Sequence, residues 1–423
     1  MTLATSVADE AWFREPALKR VLEMLNAGGG EARVAGGAVR NALMGLPVAD
    51  VDIATTLLPE QVVERARDAG IKTVPTGIEH GTVTLVADGH PFEVTTLRRD
   101  VDTDGRRAKV AFGTDWQADA ERRDLTINAL YAAADGKVID LVNGLPDIET
   151  RTVRFIGDAA QRIAEDYLRI LRFFRFFAHY GSGRPDADGL RACARAKDRL
   201  STLSAERIWS EMKKLLSATD PSRALLWMRQ VGVLTEVLPE TEKWGIDGIH
   251  GLVATEQALG WTPDPMLRLV AIVPPDADRL EVLAKRLRMS NAEAARLAAW
   301  AGTPMPPDEI TDVVFDRLLY RHGAEGMITR LRLGLSTARG GAEDDASAMR
   351  RSARLSTLLQ RAERYRKPVF PLTGADIVSA GIPPGKRVGE ILKGLEDFWV
   401  ERNFTPDRAA LTARLDEMIR NSL

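Results

Sequence analysis

Cysteine is almost missing from this chain. Cys193 stands alone, which excludes an intramolecular disulfide and argues against a cysteine-based metal site. Histidine is nearly as scarce. His80, His90, His179, His250 and His322 are scattered and none precedes an aspartate, so neither a histidine-rich metal site nor a His-Asp phosphohydrolase module is expected. No run approaches ~18 uninterrupted apolar residues, so no membrane span is expected. The most apolar helix candidate, around Leu171 to Phe177, is broken by Arg172 and Arg175. The opening MTLATSVADEAWF has no basic segment ahead of an apolar run, which speaks against a secretory signal, and the chain reads as cytoplasmic. A Gly-x4-Gly-Lys-Ser/Thr phosphate loop is also lacking. Neither sign of charge dominates: 58 Lys and Arg face 60 Asp and Glu, a net charge of −2. A nucleic-acid partner therefore cannot be inferred from net charge, although a local basic face remains open.

What is present is ordinary globular material. The 423 residues are 45% hydrophobic and 28% charged, enough for about two to four domains. Up to about residue 140, short strand-like runs alternate with helical ones; afterwards nearly everything has helical periodicity. Strands are expected at Ala32–Ala35, Val51–Ala54, Thr82–Val86, Phe92–Leu97 and Lys137–Leu141, with helices at Ala38–Met44, Pro59–Ala69 and Thr126–Ala132. From Asp158 amphipathic stretches follow, separated by breakers at Gly181–Pro185 and Pro304–Pro307 and a polar connection at Arg339–Ala346. The fold class is α+β: a small mixed α/β head (1–145), a helical neck (146–225), a helical body (226–345) and a helical tail (346–423).

The chemistry concentrates in the head. In Asp50-Val51-Asp52, residues i and i+2 of a strand project both carboxylates to one face. Two neighbouring anions suit a hard cation such as Mg²⁺ between them, while a solvated turn is the bland alternative. Upstream, Val34-Ala35-Gly36-Gly37-Ala38-Val39-Arg40 reads as strand, double-glycine turn and helix start. Glycines let backbone N–H groups approach a phosphate, a helix start favours anions, and Arg40 can add charge-assisted hydrogen bonds. A third carboxylate would complete a two-metal site; Glu93, opposite in facing to Phe92 and Val94, and Asp124 are the candidates.

Five segments occur in order: Gly36-Gly37-Ala-Val-Arg40, Asp50-Val-Asp52, Phe92-Glu-Val-Thr-Thr-Leu-Arg98, Arg122-Arg-Asp-Leu-Thr-Ile-Asn-Ala129 and Glu165-Asp-Tyr-Leu-Arg-Ile-Leu-Arg172. Together they resemble the bacterial-type (class II) tRNA CCA-adding enzymes and related poly(A) polymerases, members of the polymerase-β-like nucleotidyltransferases. The motifs lie within residues 34–177. Pro371–Gly385 resembles the tail of that family more loosely.

The resemblance implies template-independent addition of CCA to the 3′ end of tRNA from CTP and ATP, with Mg²⁺. Asp50, Asp52 and Glu93 would be catalytic, with Asp50 and Asp52 holding metal. The nucleotide would be bound by Gly36, Gly37, Arg40, Arg123, Asp124, Asn128, Asp166, Arg169 and Arg172. Arg123, Asp124 and Asn128 fall on the ribose-recognition segment, although Asp124 could also N-cap a helix starting near Leu125. Asp166 and Arg169 would read the base. Cytosine and adenine offer an amine donor beside a ring-nitrogen acceptor, which an aspartate with an arginine complements; guanine and uracil present the reverse. Three apart on a helix, the pair could also be an intrahelical salt bridge worth ~0.3–0.5 kcal/mol.

One departure stands out: the family usually has aspartate where this chain has Asn41, so the pairing with Arg40 should be weaker. The polar stretch from Arg98 to Glu121 suits a mobile loop near the active site or a disordered excursion. Residues 350–367 carry seven basic side chains and one acidic, suiting contacts to tRNA phosphates. Rival outputs within the family are A-only, CC-only or poly(A) synthesis. A rival of another class is an RNA-binding scaffold without catalysis, which has no use for the Asp50/Asp52 pair.

Overall fold

The computed structural model describes residues 5–74, 77–78, 81–104, 107–340 and 345–420, with residues 99–111 described by backbone alone. The chain divides into two compact units, residues 1–239 and 240–423.

Unit 1 is organised by a seven-stranded sheet. Its strands are β1 (Ala32–Ala35), β2 (Asp52–Thr55), β3 (Lys72–Val74), β4 (Thr82–Ala87), β5 (His90–Thr96), β8 (Leu130–Ala132) and β9 (Val138–Asp140), in spatial order β3-β4-β5-β2-β1-β8-β9. All pairings are antiparallel except β2 with β5, where Asp52 lies opposite Glu93. A separate hairpin joins β6 (Arg98–Asp104) to β7 (Arg107–Phe112). The helices α1 (Pro16–Asn26), α2 (Gly37–Leu43) and α3 (Pro59–Asp68) accompany the sheet, and α4 (Trp116–Glu121) follows the hairpin. In α1 the buried residues Leu18, Val21, Leu22 and Leu25 fall at helical spacing and pack toward β1 and β4.

Three expectations need correction. Thr126–Ala132 is not a helix: a single 3₁₀ turn, Thr126–Asn128, leads into β8. The Thr126 N–H donates to the Arg154 carbonyl and the Leu130 carbonyl accepts from Gly36 N–H, so these groups serve tertiary partners instead of a helix. Because residues 126–132 are all buried, their apolar pattern carried no period to separate strand from helix. The Asp50-Val51-Asp52 segment is only partly strand, since β2 begins at Asp52 and Asp50 precedes it. The stretch from Arg98 carries regular structure, the β6–β7 hairpin followed by α4, with residues 105 and 106 outside the described residues. Of the polar connection at Arg339–Ala346, residues 341–344 lie outside the described residues.

The rest of unit 1 is helical: α5 (Leu145–Glu149), α6 (Ala159–Glu165), α7 (Leu168–Tyr180), α8 (Ala187–Ala196) and α9 (Ala205–Leu216), with further short helices to residue 239. α7 buries Leu168, Ile170, Leu171, Phe173, Phe174, Phe176 and Phe177. Phe173 stacks on Phe155, ring centroids 5.2 Å apart. This burial on most of its circumference leaves Arg169, Arg172 and Arg175, at three-residue spacing, on the remaining stripe.

Unit 2 is entirely helical among its described residues. One core joins helices Asp312–His322, Ala324–Gly340 and Ala346–Arg364 through Phe315, Leu331, Leu335, Leu355 and Leu358. A second centres on Trp399, edge-on to Tyr320 and Phe404. The basic run at 350–367 is partly neutralised within the unit. Arg351 pairs with Asp308 at 3.2 Å, Arg354 with Asp312 at 3.3 Å and Arg361 with Asp316 at 2.5 Å.

Arg268 and Glu256 are 1% and 2% exposed and pair at 2.7 Å. Such a pair contributes little over apolar packing, but breaking it leaves a desolvated charge. Glu256→Ala should destabilise the protein by about 3–5 kcal/mol in urea unfolding. A loss below about 1 kcal/mol would show that Arg268 finds full compensation elsewhere.

Candidate active site

The turn after β1 sets the floor of the site. Gly36 has φ +67°, and a Cβ there would stand 3.2 Å from the Asn128 carbonyl oxygen and 3.3 Å from Arg123 Nη1. Glycine is thus required twice, by backbone conformation and by the approach of Arg123. Around this turn opens a cavity of about 580 Å³, lined by Ala35, Gly36, Gly37, Arg40, Asp52, Arg122, Arg123, Asp124, Asn128, Asp166, Leu168, Arg169, Arg172, Arg175, Phe176 and Arg207. Seven arginines against three aspartates line it, an excess of positive charge that suits an anionic ligand.

The structure brings together in this lining all nine residues expected to bind nucleotide, and Asp52 with them. Glu93 and Asp50 are not in the lining, but both act on Asp52. Burial raises the pKa of Asp52, and the nearby Glu93 and Asp50 carboxylates raise it further, with Arg123 opposing. Three mutually repelling carboxylates, one of them partly desolvated, are a donor set that fits a hard divalent cation. Among the described residues, no group of three or more His, Cys, Asp or Glu converges tightly enough to hold an ion as it stands.

Asp124 is engaged elsewhere. Its Oδ2 accepts from Arg172 at 2.6 Å, and its Oδ1 accepts from Asn128 Nδ2 at 3.2 Å and from the adjacent Leu125 N–H at 2.9 Å. The helix it was expected to cap does not exist.

Arg40 is 6% exposed. Its Nε and Nη2 donate to Asn41 Oδ1 (3.1 and 2.9 Å), Nη1 to Asn128 Oδ1 (2.5 Å) and Nη2 to the Tyr180 hydroxyl (2.7 Å). All three acceptors are neutral, and burial lowers its pKa. Arg40 therefore reaches the cavity wall as a pillar joining α2, the 3₁₀ turn and the end of α7. Asn41 keeps a two-pronged grip on it without charge, and its Nδ2 donates to the Pro47 carbonyl at 2.9 Å, which an aspartate could not do.

Asp166 and Arg169 are not one helical face. Asp166 sits in extended backbone (φ −156°, ψ 108°) at the break between α6 and α7. Nor do they form the i,i+3 salt bridge. Arg169 Nη1 is held by Glu165 at 2.5 Å and the Arg162 carbonyl at 2.9 Å. Asp166 is held by Arg207 at 2.7 Å.

Sequence reasoning missed Arg122, Arg175, Phe176 and Arg207 in the lining, and Asp119 behind it. Asp119 is 1% exposed and accepts from Arg122 (2.8 Å), Arg123 (3.2 Å) and the Tyr131 hydroxyl (2.8 Å). Its spacing of three and four residues before the two arginines was a usable helical signal. Arg175 was equally legible, one step beyond Arg169 and Arg172. It pairs with the buried Glu211 of α9 at 2.8 Å.

The poly A polymerase head domain model matches residues 32–154, and the model described as the probable RNA and SrmB-binding site of polymerase A matches residues 185–244. Across 93% of the chain, and 88% of the relative, it is 34% identical to the mouse mitochondrial CCA tRNA nucleotidyltransferase 1. The chain belongs to the CCA-adding enzyme family. A CCA-adding enzyme of Streptococcus gordonii is 33% identical over 94% of the chain and 96% of its own length. Among solved structures, the Bacillus stearothermophilus CCA-adding enzyme in complex with CTP superimposes with a TM-score of 0.69 at 25% identity, covering 96% of this chain and 98% of that one. Membership in this nucleotidyltransferase family implies use of a divalent metal.

Burial opposes ionisation of Asp119 and Asp124, but Arg123, Arg122 and Tyr131 in the first case, and Arg172 and Asn128 in the second, outweigh it and hold both carboxyls below their ordinary range. A depressed folded pKa stabilises above the unfolded value of about 3.9 and loses that contribution as pH falls through the folded value. Unit 1 should accordingly weaken below about pH 4. Asp119→Asn should lower stability at neutral pH by about 2–3 kcal/mol and flatten this acid limb, read from urea melts between about pH 6 and pH 3. An unchanged acid slope would exclude Asp119 as its source.

Proposed function

We propose that this chain is a template-independent nucleotidyltransferase that adds C, C and A to the 3′ end of tRNA, using CTP, ATP and Mg²⁺. The observation that carries the reading is the arginine-rich cavity where the turn after β1, the start of β2 and the α7 arginines meet. Full-length similarity to relatives named for CCA addition supports it.

In this reading Arg123, Arg172 and Arg175 neutralise the triphosphate, and Gly36 and Gly37 let its phosphates approach the backbone. Asp124, steadied by Arg172 and Asn128, accepts from the ribose hydroxyl, and Asp166 and Arg169 face the base edge. The tRNA 3′-oxygen bonds to the α-phosphorus as the α–β phosphoanhydride breaks. Pyrophosphate leaves with the electron pair and the hydroxyl proton passes to solvent. Bound at Asp52, with Asp50 and Glu93 alongside, Mg²⁺ would acidify that hydroxyl and offset charge on the leaving group. Selection of C and A then lies in protein side chains and needs no template base.

For tRNA itself, Gln360, Arg364, Tyr365 and Arg366 line a second cavity of about 540 Å³ in unit 2. Their charge and aromatic content suit phosphate and base contacts. Replacing Arg364 and Arg366 by Glu should weaken tRNA binding about tenfold or more and make it less salt-dependent, with CTP affinity unchanged. Equal tRNA affinity would take this surface out of the reading.

The deciding experiment offers tRNA transcripts ending at the discriminator base, at C and at CC to purified protein with Mg²⁺ and single nucleotides. CTP use on the first two, ATP use on the third and arrest at CCA are expected. ATP use on the CC end alone would reduce the reading to A-addition, and open-ended ATP addition would replace it with poly(A) synthesis. Asp52→Asn should lower incorporation by about 10³-fold or more. Its thermal midpoint should hold or rise, because a partly buried, repelled carboxylate is removed. Near-normal turnover would detach Asp52 from the chemistry.

A further inference from the structure

The Asp166 carboxylate is fixed from two directions. Its Oδ1 accepts from the Leu168 N–H at 3.0 Å, the local bond that closes the break before α7. Its Oδ2 accepts from Arg207 Nη2 at 2.7 Å, across 41 residues of chain. Arg207 occupies the first turn of α9, and Glu211, one turn further along α9, holds Arg175. The same helix thus secures one acidic and one basic member of the lining. Arg207 itself lines the cavity, with its side chain 48% exposed.

Each oxygen of a carboxylate accepts more than one hydrogen bond, so Asp166 keeps acceptor capacity toward the cavity while Arg207 holds it. With Arg207 absent, only the Leu168 N–H remains and the carboxylate can turn about its Cβ–Cγ bond. An acceptor that turns discriminates poorly, since it can move away from the carbonyl oxygen of uracil or guanine that it otherwise repels. A fixed one cannot.

We propose that Arg207 is a specificity-determining positioning residue, which fixes the Asp166 carboxylate in the orientation that accepts the amine of cytosine or adenine and rejects the carbonyl of uracil or guanine. The proposal rests on the reading of Asp166 as a base-facing residue. Arg207 acts through Asp166 and takes no part in bond making. A guanidinium suits the task better than a lysine ammonium would, because its donors sit in a rigid plane, and one of them, Nη2–H, meets Asp166 Oδ2 here.

The test compares kcat/KM for CTP with UTP on tRNA ending at the discriminator base, and for ATP with GTP on tRNA ending in CC. The variants are Arg207→Ala, Arg207→Lys and Asp166→Ala. Arg207→Ala should lower both ratios about tenfold, the size of one charge-assisted hydrogen bond, with a thermal midpoint within about 2 °C of the unmodified protein, as for a half-exposed side chain. Arg207→Lys should restore part of the discrimination. A merely structural role would lower the midpoint and all four rates together and leave the ratios alone. Unchanged ratios in Arg207→Ala, with collapsed ratios in Asp166→Ala, would overturn the role of Arg207 and leave the base-reading of Asp166 standing. Unchanged ratios in Asp166→Ala would overturn that reading, and the role of Arg207 with it.

Discussion

The ion pair between Asp124 and Arg172 is the joint on which the cavity depends. Asp124 comes from the segment that enters the sheet at β8, and Arg172 from the middle of α7. Their 2.6 Å contact fastens the strand side of the cavity to its helical side. Arg40 adds a second fastening, from α2 to the end of α7 through the Tyr180 hydroxyl. Without these cross-ties, the double-glycine turn and the α7 arginines would belong to separate surfaces, and no single volume would collect both.

An arginine-rich cavity also has to hold its own charges in place before any ligand arrives. Several of its arginines are tied by a carboxylate. Arg122 and Arg123 share Asp119, Arg169 has Glu165, Arg172 has Asp124, Arg175 has Glu211 and Arg207 has Asp166. Arg40 differs in binding only neutral acceptors, and it is the most buried of the seven. The ties reduce side-chain entropy ahead of binding, so less ordering remains for the nucleotide to impose.

How much of this was legible depended on whether the signal was local. Gly36, Gly37 and Arg40 could be read because a turn, a helix start and a charge follow one another directly in the chain. The strand bearing Glu93 was equally plain, since Phe92 and Val94 bury while Glu93 does not. Thr126–Ala132 was misread because burial on all sides erases the period that separates helix from strand. Asp166 and Arg169 reach the same cavity as expected, but by a helix break that spacing could not announce. Arg207 left no trace near the motif it contacts, because 41 residues separate it from Asp166. Pairings of that kind are made by the packing of α7 against α9.

The break at Asp166 has a mechanical consequence. A side chain inside a helix takes its direction from the helix alone. One at a joint between two helices takes it from the angle they make. Asp166 stands at such a joint between α6 and α7, so the aim of its carboxylate is set by how the two helices meet as well as by Arg207. Substitutions far from the cavity, in the cores that set this angle, can therefore re-aim the carboxylate while every letter of the Glu165–Arg172 motif stays the same.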